Sequence, residues 1–299
     1  MRLFAFGLGY SARRVLARIA GAEASGATRD PEAARAWRRG GVAAWSVEDP
    51  DARPALAAAL TAAEMVLISA PPDERGDPAL ALFGQAIASA PALQRVVYLS
   101  SVGVYGDCGG AWVDETRPPA PVSPRARRRL AAERDWQAFG QARGIAVDRL
   151  RLAGVYGPGR NPLDRLARGE ARRIVKPGQV FNRIHVDDIA EIVARLIAAG
   201  GPGEAWNVAD EEPAPPQDVV AFAAELLGVA PPDEEDFATA RLTPMAASFY
   251  DDNRRVDVDK LRRALGYRWL YPTYREGLRA LAAAGEGARD DVTDRKAPN

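Results

Sequence analysis

The sequence predicts an α/β fold built on a doubly wound parallel sheet, with a smaller α/β lobe at the C-terminal end. In residues 1–153, short apolar runs alternate with amphipathic, Ala/Arg-rich stretches. The runs at 65–69 and 96–100 are apolar almost throughout, which is typical of strands that helices cover on both faces. A glycine-rich turn directly follows the first run, as at the start of a βαβ unit.

The elements of the first half follow one another in a regular order. Predicted strands cover residues 3–6, 24–28, 42–45, 65–69, 96–100 and 147–152. Predicted helices cover residues 11–20, 30–39, 51–63, the region of 80–87, and 123–140. Asp30 and Pro31 mark the start of the second helix, because Asp is a favoured N-cap and Pro is favoured at the first helical position.

The pattern becomes less regular after Leu152. Residues 154–162 and 231–240 are predicted loops, because the first is rich in Gly and Pro and the second is acidic. Predicted helices at 186–199, 216–227, 257–265 and 273–284 and a short strand at 206–208 are too scattered for an independent sheet. We therefore expect a first domain over 1–153, a smaller lobe over 154–284 that returns some segments to that domain, and a flexible tail over 285–299.

The composition excludes several classes of protein. With one Cys and one His, the 299-residue chain has no intrachain disulfide and too few ligands for a zinc or iron–sulfur site, so no metal is predicted. Forty Lys and Arg balance forty Asp and Glu, which argues against a nucleic-acid binder. We find no membrane-spanning run and no signal-like start, and expect a cytoplasmic monomer or homodimer that acts on a small molecule.

The turn after the first strand has the order Gly-x-Gly-x-x-Ala at residues 7–12. Between a strand and a helix, this order is typical of dinucleotide binding in Rossmann domains. The first glycine allows a tight turn, the second lets the backbone approach a pyrophosphate, and the helix N-terminus attracts phosphate. The predicted contacts from this turn are Gly7, Gly9, Tyr10, Ser11 and Ala12. The alternative is a turn whose glycines are incidental.

The end of the second strand bears on the choice between NAD and NADP. NAD sites usually carry an acid there that binds the ribose 2′-hydroxyl, whereas this chain has Thr28 and Arg29. A guanidinium can form paired hydrogen bonds with a 2′-phosphate, so NADP is favoured over NAD. The alternative is that Arg29 is merely solvated and that Asp30 only caps the next helix.

Several later segments together resemble the extended short-chain dehydrogenases/reductases, the NAD(P)-dependent epimerase/dehydratase relatives. The most specific are Val-Tyr-Leu-Ser-Ser-Val-Gly-Val-Tyr-Gly at 97–106 and Arg-Leu-Ala-Gly-Val-Tyr-Gly-Pro-Gly-Arg at 151–160. Further similarities are Ile-His-Val-Asp-Asp-Ile-Ala at 184–190, Asn-Val-Ala-Asp at 207–210, and the region of 255–267. The resemblance spans roughly residues 1–282 and implies a Rossmann domain followed by a substrate-binding lobe.

The resemblance also implies roles for single residues. Ser101 matches the catalytic serine, which hydrogen-bonds the reacting oxygen. Beyond the glycine turn, the expected cofactor contacts are Thr28, Arg29, Ser69, Ala70, Pro71, Ser100, Arg129, Val155 and Tyr156.

The chain departs from the family at the two residues that move the proton. The family has Ser-Pro-Tyr-x-x-x-Lys, and here Arg125 stands at the tyrosine position and Arg129 at the lysine position. Arginine stays protonated and cannot act as a general acid, although Arg125 can polarise a carbonyl or hold an anion, and Arg129 can hold the nicotinamide ribose or a phosphate. The glycine turn is also one residue shorter than the family's usual spacing.

Four other residues are candidates for the proton donor. Tyr105 and Tyr156 belong to family motifs that are present even where the catalytic tyrosine is intact, which favours structural roles. Cys108 lies in a glycine-rich loop with no sign of an activating environment, and His185 is expected at the junction of the two lobes.

Three functions remain open at this point. The first is an NADP-dependent oxidoreductase or epimerase with a non-standard proton donor. The second is a catalytically silent NADP-binding redox sensor or regulatory protein. The third is a partner-binding protein whose phosphate turn is vestigial. Ser101 favours the first, and Arg125 and Arg129 favour the second.

Overall fold

The computed structural model describes residues 1–19 and 21–288. Its strands are β1 (Arg2–Phe6), β2 (Glu23–Thr28), β3 (Ala43–Ser46), β4 (Met65–Ile68), β5 (Arg95–Ser101), β6 (Trp112–Val113), β7 (Ala146–Leu152), β8 (Gly154–Tyr156), β9 (Arg173–Val175), β10 (Arg183–His185), β11 (Ala205–Val208), β12 (Glu234–Asp236) and β13 (Arg255–Val256). Its α-helices are α1 (Tyr10–Arg18), α2 (Pro31–Arg39), α3 (Arg53–Ala62), α4 (Pro78–Ala88), α5 (Pro124–Arg143), α6 (Pro162–Ala167), α7 (Val186–Ala199), α8 (Pro216–Leu227), α9 (Pro244–Ser248), α10 (Asp259–Leu265) and α11 (Tyr274–Ala283). Short 3₁₀ turns cover Pro50–Ala52 and Val102–Tyr105.

Seven strands form one parallel sheet in the order β11-β7-β5-β4-β1-β2-β3. The order runs outward in both directions from the pair β1 and β4, so the switch point lies between these two strands. All four residues of β4 are buried, as expected of a central strand whose two faces are both covered. The predicted doubly wound, Rossmann-like sheet is therefore confirmed.

The two faces of the sheet carry separate hydrophobic clusters. On one face, Val15 of α1 and Ile189 of α7 belong to the cluster that includes Leu3 and Leu67. On the other face, helices α3, α4 and α5 contribute a cluster that contains Leu56, Phe83 and Trp136, respectively. The helices of the first half thus cover both faces, and α7, from the second half, packs on the first domain.

The second half contains short strands in segments that the sequence predicts as loops. Within 154–162, β8 pairs with β10, and within 231–240, β12 pairs with β9. A third cluster, formed around Tyr156, Phe222 and Tyr274, is the core of this lobe. The predicted strand at 206–208 extends the main sheet as β11, beside β7. Strands of three residues have no periodicity, so the partner strand rather than the local sequence decides that they form.

The start of the predicted tail makes specific contacts. The amide of Gly287 donates to Asp164 Oδ1 at 3.0 Å, and Glu286 Oε2 accepts from the amide of Gly159 at 2.8 Å. Residues 285–288 thus lie against the segment that follows β8. The remainder of the predicted tail, 289–299, lies outside the described residues, and so does Ala20 of the predicted helix 11–20. None of the described helices has both the length and the apolarity needed to cross a bilayer.

Candidate functional site

The crevice at the switch point is formed by the segments that follow β1 and β4. The amides of Ser69 and Ala70 both donate to the carbonyl of Phe6, at 2.9 and 3.1 Å. Gly7 has φ +99°, and a β-carbon there would lie 2.5 Å from the amide nitrogen of Ala70. Only glycine allows this conformation and this approach, so the turn predicted at Gly7 is present and touches the predicted segment at 69–71.

The N-terminus of α1 opens onto the same crevice. Its N-cap is Gly9, no side chain caps it, and its first turn contains no acid. A β-carbon on Gly9 would meet nothing within 4 Å, so the backbone is accessible there, whereas Ala12 is fully buried against the sheet. Half-buried Tyr10 and Ser11 complete the first turn. Free amides, a positive helix end and an exposed glycine backbone are what a dinucleotide pyrophosphate requires, and the residues present therefore fit this group.

The end of β2 lies beside this turn. Asp30 caps α2, since its Oδ1 accepts from the amide of Glu32 at 2.8 Å. Thr28 Oγ1 accepts from the amide of Asp30 at 3.4 Å, and the carbonyl of Arg29 accepts from the Ser46 hydroxyl at 2.8 Å. The carboxylate of Asp30 is thus engaged in capping, and the exposed side chain of Arg29 is the cation at this strand end.

Ser101 lies at the carboxyl end of β5, beside the start of α5. Its Oγ accepts from the amide of Gly103 at 3.1 Å, which caps the 3₁₀ turn Val102–Tyr105. A β-carbon built on Gly103 would lie 3.3 Å from Ser101 Oγ and 3.9 Å from Ala126 Cβ, so α5 begins next to this serine. The Ser101 hydroxyl hydrogen remains available for a ligand, because Gly103 uses only an oxygen lone pair.

Ser100 faces the interior rather than the crevice. Its hydroxyl donates to Glu133 Oε1 at 2.5 Å, and Glu133 also pairs with Arg151, whose Nη2 lies 2.9 Å from Oε2. Arg151 Nη1 donates to the hydroxyl of Tyr105 at 2.9 Å, and that hydroxyl donates to Asn207 Oδ1 at 2.7 Å. The expected cofactor contact of Ser100 therefore does not involve its hydroxyl, which joins a buried network beneath Ser101.

The two arginines that the resemblance assigns to the family's Tyr and Lys positions have different surroundings. Arg129 Nη1 donates to the carbonyl of Leu99 at 2.8 Å and to the hydroxyl of Tyr98 at 3.3 Å, so its side chain is anchored to β5. Arg125 is exposed, and its guanidinium carbon lies 5.1 Å from the ring centroid of Phe249. Both charges are permanent, and neither group transfers a proton at neutral pH.

The second family motif, at 151–160, contains β8. Val155 is half-buried and packs against the cluster that α1 and α7 share. The ring of Tyr156 points into the core of the second lobe, 5.1 Å from the ring of His185, and a β-carbon on Gly277 would lie 2.0 Å from the Tyr156 hydroxyl oxygen. Burial raises the pKa of Tyr156, so this hydroxyl is not placed to donate a proton in the crevice.

The other candidate donors are also held in structural contacts. Burial raises the pKa of Tyr105 to about 12. His185 Nδ1 accepts from the amide of Asp187 at 3.2 Å and caps α7, and burial lowers the pKa of the imidazole to about 4. Cys108 is half-buried, with Sγ 3.7 Å from the carbonyl oxygen of Gly106. Within residues 1–19 and 21–288, no group of three His, Cys, Asp or Glu side chains is arranged to hold a metal ion.

Three residues near the crevice have no role predicted from the sequence. Arg160 belongs to the second family motif, and its guanidinium carbon lies 5.8 Å from the ring centroid of Tyr10. Glu286 lies in the predicted tail and contacts the amide of Gly159, and Phe249 lies over Arg125. The one sequence signal is the position of Arg160 directly after a glycine-rich turn, because the other two contacts join residues that are far apart in the chain.

Comparisons with known proteins show what the chain is similar to. Residues 83–209 match the sequence model of the NAD dependent epimerase/dehydratase family, a segment that begins after the glycine turn. Protein YeeZ of Escherichia coli (strain K12) is 31% identical over 187 residues, which cover 62% of this chain and 61% of YeeZ. The match thus spans about three-fifths of the length of that relative.

Two solved structures extend the comparison to the whole chain. The UDP-glucose 4-epimerase of Thermus thermophilus, solved in complex with NAD, has 22% identity and a TM-score of 0.73 over 96% of this chain and 100% of its own, which shows the shared fold. A conserved protein of unknown function from Silicibacter pomeroyi DSS is 44% identical with a TM-score of 0.84 over 95% of this chain and 99% of its own. The chain therefore belongs to one family with the Silicibacter pomeroyi protein, and its segment 83–209 is similar to the NAD dependent epimerase/dehydratase family.

Proposed function

We propose that the chain binds a nicotinamide dinucleotide in the crevice between the ends of β1 and β4. The observation that carries the proposal is the contact of Gly7 with Ala70 beside the uncapped N-terminus of α1. A bound nicotinamide accepts or supplies a hydride, and the residues of the chain bind, orient and exclude water around it.

We further propose that NADP is the preferred cofactor. At the end of β2, the carboxylate that would bind a ribose 2′-hydroxyl in an NAD site is replaced by Arg29, and the carboxylate of Asp30 is used to cap α2. A guanidinium in this position attracts a 2′-phosphate, and Asp30 does not compete for it.

We propose an oxidoreductase or epimerase as the activity. The Ser101 hydroxyl donates a hydrogen bond to the reacting oxygen of the substrate, and exposed Arg125 binds an anionic or polarised oxygen nearby. The proton itself comes from a group other than Arg125 or Arg129, because both stay protonated. The chemistry therefore relies on a non-standard proton donor.

The second candidate is a catalytically silent NADP-binding sensor. The observation that favours it is the state of Arg129 and of the two tyrosines that are candidates for the missing proton donor. Arg129 is bound to the carbonyl of Leu99, and the hydroxyls of Tyr105 and Tyr156 are buried. A protein of this kind binds the cofactor and changes no substrate.

Two measurements test these proposals in sequence. Thermal unfolding with NAD⁺, NADH, NADP⁺ and NADPH comes first, because a ligand that binds only the folded chain must raise the melting temperature. We expect the largest increase with NADPH or NADP⁺. No increase with any of the four cofactors would contradict cofactor binding and favour a vestigial turn.

Turnover is tested second, with NADPH and a panel of sugar nucleotides, aldehydes and quinones. The enzyme proposal expects a rate that Ser101→Ala abolishes, whereas Ser89→Ala, at an exposed serine at the end of α4, leaves it unchanged. Binding of NADPH without turnover of any substrate class would favour the sensor.

A further inference from the structure

A tight loop closes over the N-terminus of α1, and we call residues 157–161 the clamp loop. The amide of Gly157 donates to the carbonyl of Arg160 at 3.1 Å, and the amide of Arg160 donates back to the carbonyl of Gly157 at 3.0 Å. Gly159 within the turn has φ +69°, a conformation that favours glycine. The backbone of Arg160 is thus fixed in place by two hydrogen bonds.

The clamp loop is attached to the phosphate turn by Tyr10, the first residue of α1. The Tyr10 hydroxyl donates to the carbonyl of Pro158 at 3.1 Å. A β-carbon at Gly157 would lie 2.7 Å from the same hydroxyl oxygen, so glycine at this position permits the approach. Burial raises the pKa of Tyr10 to about 12, which keeps this donor protonated throughout the physiological range.

Arg160 carries a positive charge beside the crevice. Its guanidinium carbon lies 5.8 Å from the centre of the Tyr10 ring, and the side chain is exposed. The acids in this region have other partners: Asp187 lies 3.0 Å from Arg14, and Glu286 Oε2 accepts from Gly159. Within the described part of the chain, no carboxylate forms an ion pair with Arg160.

The clamp loop is also held by Glu286, which follows α11 in the chain. Glu286 Oε2 accepts from the amide of Gly159 and from Asn161 Nδ2, each at 2.8 Å. Asn161 Nδ2 also lies 3.0 Å from Asp164 Oδ2. Tyr10 and Glu286 therefore both hold the loop, and with it the backbone of Arg160.

We infer that Arg160 positions the pyrophosphate of the bound dinucleotide, and that Tyr10 sets the position of the clamp loop that carries it. The inference rests on the proposed function. The helix N-terminus faces the pyrophosphate from one side through its amides, and Arg160 supplies a full charge from the other side. The 2′-phosphate is assigned to Arg29 at the end of β2, so the two arginines act on different phosphates of one ligand.

The test measures dissociation constants by calorimetry for wild-type, Arg160→Ala and Arg165→Ala protein. Arg165 is the matched control, an exposed arginine in α6 that follows the clamp loop. We expect Arg160→Ala to weaken NADPH and ADP-ribose about tenfold, as loss of a charge-assisted hydrogen bond typically does, and Arg165→Ala to leave both unchanged. Arg160→Lys should recover part of the loss, because it restores the charge without the planar fork.

A second probe separates the pyrophosphate from the rest of the cofactor. Adenosine 2′-monophosphate has no 5′-phosphate, so its affinity should be the same for wild-type and Arg160→Ala protein. Tyr10→Phe should weaken NADPH about threefold, which corresponds to one neutral hydrogen bond.

The outcomes distinguish this inference from the proposed function. If wild-type protein binds NADPH and Arg160→Ala binds it equally well, the inference is wrong and cofactor binding stands. An equal loss for adenosine 2′-monophosphate and NADPH would also overturn it, because the arginine would then act on the whole site. If wild-type protein binds none of the four cofactors, both proposals fail.

Discussion

The buried pair of Glu133 and Arg151 offers a sharp test of how the site is supported. Glu133 is 2% exposed and Arg151 is 5% exposed. Arg151 reaches the carboxylate through Nη2 at 2.9 Å and Nε at 3.3 Å, and the Ser100 hydroxyl adds a third hydrogen bond at 2.5 Å. The pair joins α5 to β5 and β7 directly beneath Ser101.

Replacement of Glu133 by Ala leaves the Arg151 guanidinium buried without its counter-charge. Breaking a buried ion pair from one side costs about 3–5 kcal/mol of the free energy of unfolding, because the remaining charge is not solvated. The double variant Glu133→Leu/Arg151→Met removes both charges and should recover most of this loss. At roughly 2 °C per kcal/mol for a protein of this size, the single variant should melt about 6–10 °C below wild type.

Urea unfolding followed by tryptophan fluorescence measures these changes, since Trp136 of α5 is fully buried against the sheet and becomes exposed on unfolding. A loss of less than about 1 kcal/mol for Glu133→Ala would refute the reasoning, because that is the value typical of an exposed pair. A double variant that is no more stable than the single variant would refute it as well.

Three further predictions concern the crevice and the junction of the lobes. Gly7→Ala should lower both the melting temperature and the NADPH affinity, because the new β-carbon would lie 2.5 Å from the amide nitrogen of Ala70. Gly9→Ala should lower only the NADPH affinity, because a β-carbon there meets nothing within 4 Å in the free protein. Equal melting temperatures for the two variants would contradict this difference. Folding lowers the pKa of His185 from 6.5 to about 4. Between these two pH values the unfolded chain binds a proton that the folded chain does not, so the free energy of unfolding decreases as the pH falls from 6.5 towards about 4. His185→Asn keeps an N-cap acceptor and should remove up to about 3 kcal/mol of this loss of stability in acid. Urea unfolding between pH 4 and 7 measures the difference, and an unchanged pH dependence would count against the burial argument. Arg29→Ala should weaken NADP⁺ about tenfold more than NAD⁺, and equal losses for the two cofactors would remove the basis for an NADP preference.

The parts of the fold that can be predicted from the sequence are those with a local physical signal. β4 and β5 are predictable because strands covered on both faces are apolar at almost every position. Asp30 is predictable as the cap of α2 because capping joins a side chain to an amide two or three residues away, and the observed bond to Glu32 confirms it. Gly7 is placed correctly in a turn for the same reason, since its positive φ is a property of one residue.

Only part of the candidate site can be predicted from local sequence patterns. Ser101, Arg125 and Arg129 can be located from their motifs, but their surroundings cannot. The hydroxyl of Ser100 faces Glu133, and the ring of Tyr156 enters the core of the second lobe, because alternate residues of a strand face opposite sides and only the packed helices decide what each side meets.

The parallel α/β class and the glycine turn at the head of α1 follow from the sequence alone, and so does the presence of arginines at positions 125 and 129. Each of these depends on residues within a few positions of one another. Tertiary structure alone decided the strand order, the pairing of β8 with β10, and the contacts of Tyr10 with Pro158 and of Glu286 with Gly159. These contacts join segments that are far apart in the chain or strands of only three residues, so no local pattern specifies them, and packing of the whole chain does.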